Sequence, residues 1–129
     1  KTFYHSSGYT ANPIAGAAAN ANLAIWRDEP VQQRIDALAD AQAAHLAMIA
    51  HHPQVANPRR LGTIAAFDIV VQDGGYLSSL APRLIGFYRE NGVLLRPLGN
   101  SVYVMPPYCI TTDDLAHVWT TIRASLDNV

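Results

Sequence analysis

The sequence predicts an α+β domain, with helices packed on a small, largely antiparallel sheet. Three observations lead there: apolar stripes at helical spacing in separate stretches, a long apolar alternation from Arg60 to Val71, and a Gly99-Asn100 pair set between two short apolar runs. At 129 residues the chain is long enough for one compact domain, and half of those residues are hydrophobic. Only 15% are charged, so a core can form and disorder is excluded for most of the chain.

The elements follow in order. Asn12-Pro13 is a helix start, an N-cap residue with proline at the first helical position. The alanine-rich run that follows extends to Trp26 and presents a nearly smooth surface, suited to lying inside something larger. A second helix is expected over 31–50, with Val31, Ile35, Leu38, Gln42, His45, Leu46 and Ile49 on one stripe. His51-His52-Pro53 ends it, and Asn57-Pro58 reads as a turn. Residues 60–71 are then expected as one long strand, apolar on both sides and so buried on both faces. A third helix is expected over 76–91, stopped by Asn91-Gly92, with Leu77, Leu80, Leu84, Phe87 and Tyr88 inward. Residues 94–98 and 101–105 are expected to form a hairpin around Gly99-Asn100. Thr111, three residues before Asp114, opens a last helix whose stripe is Leu115, Val118, Trp119, Ile122 and Leu126.

Charge and composition narrow the function classes. A net charge of -1 offers no basic field for a nucleic acid. No apolar run has the length of a membrane span, so no membrane partner is expected. The single cysteine, Cys109, forms no internal disulfide, which suits a reducing, cytoplasmic setting. It is expected as a small buried residue, since nothing nearby would lower its pKa. His45, His51 and His52 lack acidic or cysteine partners at ligand spacing and are expected at the solvated end of a helix, so no metal is expected. Asp113-Asp114 suits a helix start better than a catalytic dyad.

Four segments carry a resemblance. Phe3 to Ala15 runs aromatic, His, small residues, Gly, aromatic, Thr, small, Asn, Pro; then come Arg60-Leu61-Gly62-Thr63-Ile64, Gly92 to Asn100, and Val102 to Tyr108. In this order and spacing they resemble the end of class III aminotransferases, fold-type-I enzymes that use pyridoxal phosphate. The resemblance covers essentially the whole chain. It implies the C-terminal part of a larger enzyme, with residues 1–27 a connecting segment bearing the alanine-rich helix and 28–129 the small C-terminal domain. The chain also begins without Met, as a processed or cut piece would. Arg96-Pro97 followed by Tyr103-Val104-Met105-Pro106-Pro107-Tyr108 is similar to the family branch that acts on an amino-oxononanoate in biotin synthesis. In the acetylornithine, ornithine and 4-aminobutyrate branches, Pro-Pro is usually followed by Leu. The amino donor of that branch is normally S-adenosylmethionine.

What the resemblance implies for single residues is specific. The lysine that holds the cofactor covalently lies upstream in the family, and the one lysine here is Lys1, so the chain alone is expected to be inactive. Ser7 and Gly8 match residues that reach across a homodimer to the neighbour's cofactor phosphate. The family's hydroxyl-bearing residue is Gly8 here, so a side-chain donor is lost unless Ser7 replaces it. A plain capping loop is the other reading of this segment. Arg96 matches the residue that holds the substrate carboxylate, where a planar guanidinium can form two parallel hydrogen bonds. Taken by itself, Arg96 reads as an ordinary strand-edge arginine in a surface ion pair. Tyr103 is implied to line the small-molecule site, or else is a half-buried sheet tyrosine. Ser6 matches a glycine near the substrate, and Leu98 a wall residue that is usually aromatic. Two other readings stay open: a different class III enzyme acting on an ω-amino acid, and a free-standing α+β module that dimerises or binds a small anion.

Overall fold

A computed structural model describes residues 12–71 and 80–128. Its helices are α1 (Pro13–Asp28), α2 (Val31–Ile49), α3 (Leu80–Glu90) and α4 (Thr112–Leu126), and its strands β1 (Val55–Leu61), β2 (Ile64–Ile69) and β3 (Ser101–Val104). The α+β expectation holds. The chain divides into two compact units after Arg34.

In the first unit, Asn12 caps α1 as its sequence implies. Its Oδ1 accepts from the backbone N–H groups of Ile14 at 3.0 Å and Ala15 at 3.3 Å. No residue of α1 is buried, and Ile14, Leu23 and Trp26 stand in the open.

In the second unit the sheet order is β1-β2-β3, antiparallel throughout. Phe67 and Ile69 of β2 and Val102 of β3 are fully buried against Leu84, Tyr88, Trp119, Ile122 and Leu126 from the helices. Three strand expectations need correcting. Residues 60–71 are not one strand, because Gly62 takes φ +56° and turns the chain back so that Leu61 pairs with Ile64. Glycine at the first position of a two-residue turn favours that reversal. Asn57-Pro58, expected as a turn, is absorbed within β1 as an irregularity between Ala56 and Arg59, with Asn57 at φ 49°. Pro58 is tolerated there because β1 is an edge strand. Nor is β2 buried on both faces: its outer side carries Ile64, Ala66 and Asp68, all at least partly exposed.

The Gly99-Asn100 turn forms as expected, with Leu98 and Ser101 exchanging backbone hydrogen bonds of 2.9 and 3.0 Å. The first arm of that hairpin does not continue, however. Pro97 has no N–H to donate, and β3 pairs with β2 instead. The helix ends match their signals. Gly92 at φ +74° closes α3, with Val93 N–H bonded to Tyr88 O at 2.8 Å and Gly92 N–H to Arg89 O at 3.0 Å. Thr111 Oγ1 accepts from Asp114 N–H at 3.1 Å and donates to the Asp114 carboxylate at 2.7 Å, a reciprocal cap. Leu77 lies outside the described residues.

Candidate substrate site

Arg96 sits in the unpaired stretch between α3 and the Gly99-Asn100 turn. The stretch is anchored on both sides of it, by buried Val93 and buried Pro97. Its side chain is exposed and makes no hydrogen bond or ion pair with the described residues. The surface ion pair that residue type alone would suggest is therefore absent among them. Of the seven other arginines, Arg27, Arg34, Arg59, Arg60 and Arg83 have oxygen partners, whereas Arg89 and Arg123, like Arg96, have none among the described residues. A free guanidinium held on an anchored backbone is chemically a receptor for a planar anion.

Tyr103 is half-buried on β3 opposite Ala66, on the outer face of the sheet. Its neighbours Val102 and Val104 point into the core, so strand alternation alone sends the phenol outward. Leu98 is 50% exposed beside the turn, and Leu94 and Met105 are exposed on the two chain segments flanking it. Arg96 and Tyr103 each stand two residues from the Leu98–Ser101 bridge, on opposite arms. The turn thus sets Arg96 and Leu98 just before the start of β3, with Tyr103 two residues into the strand on its outer face. A groove of about 240 Å³ lies at the other, Val104 end of β3, walled by Val93, Leu94, Met105, Pro106, Ile110 and His117 among others; Arg96 is not in its wall. Ser6, Ser7 and Gly8 lie outside the described residues.

One polar group on the same sheet face escaped the sequence reading. Asp68 accepts from Arg59 at 3.0 Å, from Asn57 at 3.0 Å, and from the Ser101 hydroxyl. Burial pushes its carboxyl upward, but the hydrogen bonds from Ser101, Arg59 and Asn57 outweigh it and hold the pKa below the ordinary value. Arg59 and Asp68 are brought together by the β1–β2 register, and no sequence motif joins them.

Two other residues differ from expectation. His45 is not at a helix end: it stacks on Trp119, with ring centroids 5.8 Å apart and planes within 8°. Partial burial there pushes its pKa below the usual histidine value. Cys109 is exposed, because Tyr108-Cys109 forms a turn between the prolines and the α4 cap. Among the described residues no group of histidine, cysteine and acids could hold a metal, and no helix is long and apolar enough to cross a membrane.

A phosphorylated pyridine cofactor needs a lysine for its aldehyde and free donors for its phosphate. None of the described residues is a lysine. The start of α1 offers no free amide: Pro13 has no N–H, Ile14 and Ala15 donate to the Asn12 side chain, and Gly16 donates to the Asn12 carbonyl. These residues do not by themselves fit that group.

The chain belongs to the class-III aminotransferase family, whose model matches residues 1–126. It is 42% identical over 128 residues to the adenosylmethionine-8-amino-7-oxononanoate aminotransferase of Synechococcus elongatus, covering 99% of this chain and 30% of that protein. The Helicobacter pylori enzyme of the same name is 36% identical, over 100% of this chain and 30% of its own length. Among solved structures, the omega transaminase of Pseudomonas jessenii in complex with PMP superposes with a TM-score of 0.79 at 25% identity, over 90% of this chain and 27% of that one. The chain thus spans about 30% of the length of the curated relatives it matches.

Proposed function

We propose that this chain is the substrate-carboxylate end of a pyridoxal-phosphate-dependent aminotransferase. The whole protein would convert 8-amino-7-oxononanoate to 7,8-diaminopelargonate in biotin biosynthesis, with S-adenosylmethionine as amino donor. The observation that carries the reading is an unpartnered Arg96 within the Arg-Pro-Leu-Gly segment of a chain 42% identical to an enzyme so named.

In this reading Arg96 grips the acyl carboxylate through two parallel hydrogen bonds, which set the direction of the substrate as well as its affinity. Leu98 packs on the aliphatic chain, where burying each methylene contributes about 0.8 kcal/mol. Tyr103 lays its ring along the same chain and leaves its hydroxyl for a polar group. Pyridoxal phosphate, bound by the rest of the protein, supplies the electron sink and the amino-group carrier. Ser7 and Gly8 approach the phosphate of the partner in a cytoplasmic homodimer. Ser6 lies beside the substrate.

Donor and acceptor profiling of the full-length protein tests this. Diaminopelargonate should form from 8-amino-7-oxononanoate and S-adenosylmethionine. Turnover of an ω-amino acid with a simple oxo acid, and none of the oxononanoate, would favour the other family reading.

A further inference from the structure

We propose that Gln42 is a positioning residue for the carboxylate site, acting through the end of β3. The inference rests on the reading of Arg96 and Tyr103 as substrate contacts. Gln42 occupies an inward slot of the α2 stripe and is fully buried. Its amide is fully used. Nε2 donates to the carbonyls of Thr63 at 2.9 Å and Val104 at 3.3 Å, and Oε1 accepts from Trp119 Nε1–H at 2.8 Å. A leucine or methionine would fill the slot without desolvating an amide, and buried polar networks of this kind specify one arrangement more than they add stability.

The arrangement specified is that of β3. This is a strand of four residues, paired among the described residues only with β2. It is followed by Met105-Pro106-Pro107, whose prolines cannot extend the ladder. Val104 is therefore the last paired residue, and the Gln42 amide ties its carbonyl to α2. Tyr103 is the preceding residue, so fixing the Val104 carbonyl fixes the strand one residue beyond the point where the phenol emerges on the outer face. The hub is itself braced: His45, three residues further along α2, stacks on the indole whose N–H meets Gln42. The sheet end that carries Tyr103 is thus referenced to α2 and α4 as well as to its neighbouring strand.

The test uses the full-length protein carrying Gln42→Met, which keeps volume and removes the three hydrogen bonds. Melting temperature is measured first; kcat and KM for the oxo acid are then taken well below it. A loss of binding geometry without loss of chemistry raises KM about tenfold and leaves kcat within about twofold. Trp119→Phe keeps both carbonyl ties, so it should lower the melting temperature with little change in KM. If Gln42→Met does not fold, Gln42→Leu carries the test, since it too removes both carbonyl ties and leaves no buried acid; a raised KM is again expected. A lowered melting temperature with an unmoved KM would overturn the inference alone. Wild-type protein that never turns over the oxo acid would overturn the proposed function, and this inference with it.

Discussion

At the scale of single residues, Asp68 shows how a charge becomes structural. Three donors surround it, and together they keep its carboxyl ionised below the ordinary value of 3.8. A folded pKa below the unfolded one means the unfolded chain binds protons more readily in acid. The stabilisation is therefore complete above that ordinary value and is lost as pH falls through the folded pKa. Asp68→Asn should lower stability at neutral pH and remove part of the acid-induced loss, measured by denaturant melts between pH 7 and pH 2. An unchanged acid limb would show that the cluster contributes nothing. Residue identity alone predicted Arg96, Tyr103 and Leu98 as site candidates only through resemblance. Geometry added that Arg96 has no partner among the described residues. Asp68 was illegible because its partners Asn57, Arg59 and Ser101 become neighbours only once two antiparallel registers are set. His45 and Cys109 were misread for a related reason: stacking on Trp119 and exposure in a turn both depend on elements far off in sequence.

At the scale of elements, helices were the more legible. Their caps are local chemistry: Asn12, Thr111 with Asp114, and Gly92 each act within a few residues, and each forms the bond its type implies. Strands were less so. The alternation from Arg60 to Val71 runs straight across Gly62, and periodicity cannot show that one glycine takes a positive φ and reverses the chain. Asn57-Pro58 misled in the opposite sense, as a turn signal that an edge strand accommodates. The tip of the β1–β2 hairpin has open space around Gly62, so a side chain there meets no clash and only backbone strain is at issue. Gly62→Val should cost about 1–3 kcal/mol, while Gly62→Asn should cost much less, as read from denaturation midpoints. Equal midpoints for the two variants would contradict the turn.

At the scale of the whole molecule, the chain belongs to the class-III aminotransferase family and spans about 30% of the length of its curated relatives, and the proposal gives it an anion receptor rather than the reactive centre. The described residues have no lysine, and the first amides of α1 are already satisfied by Asn12. What they do offer is the unpaired guanidinium of Arg96, in the anchored stretch before the Gly99-Asn100 turn. No residue of α1 is fully buried, and Ile14, Leu23 and Trp26 are exposed. The most direct measurement of the central claim compares 8-amino-7-oxononanoate with its carboxamide as acceptors for the full-length protein, with and without Arg96→Ala. If Arg96 grips the carboxylate, the wild type should prefer the acid by about 100-fold in kcat/KM, from a charge-assisted pair of roughly 2–3 kcal/mol, and the variant should accept both nearly equally. A variant that keeps the full preference for the acid would contradict the account.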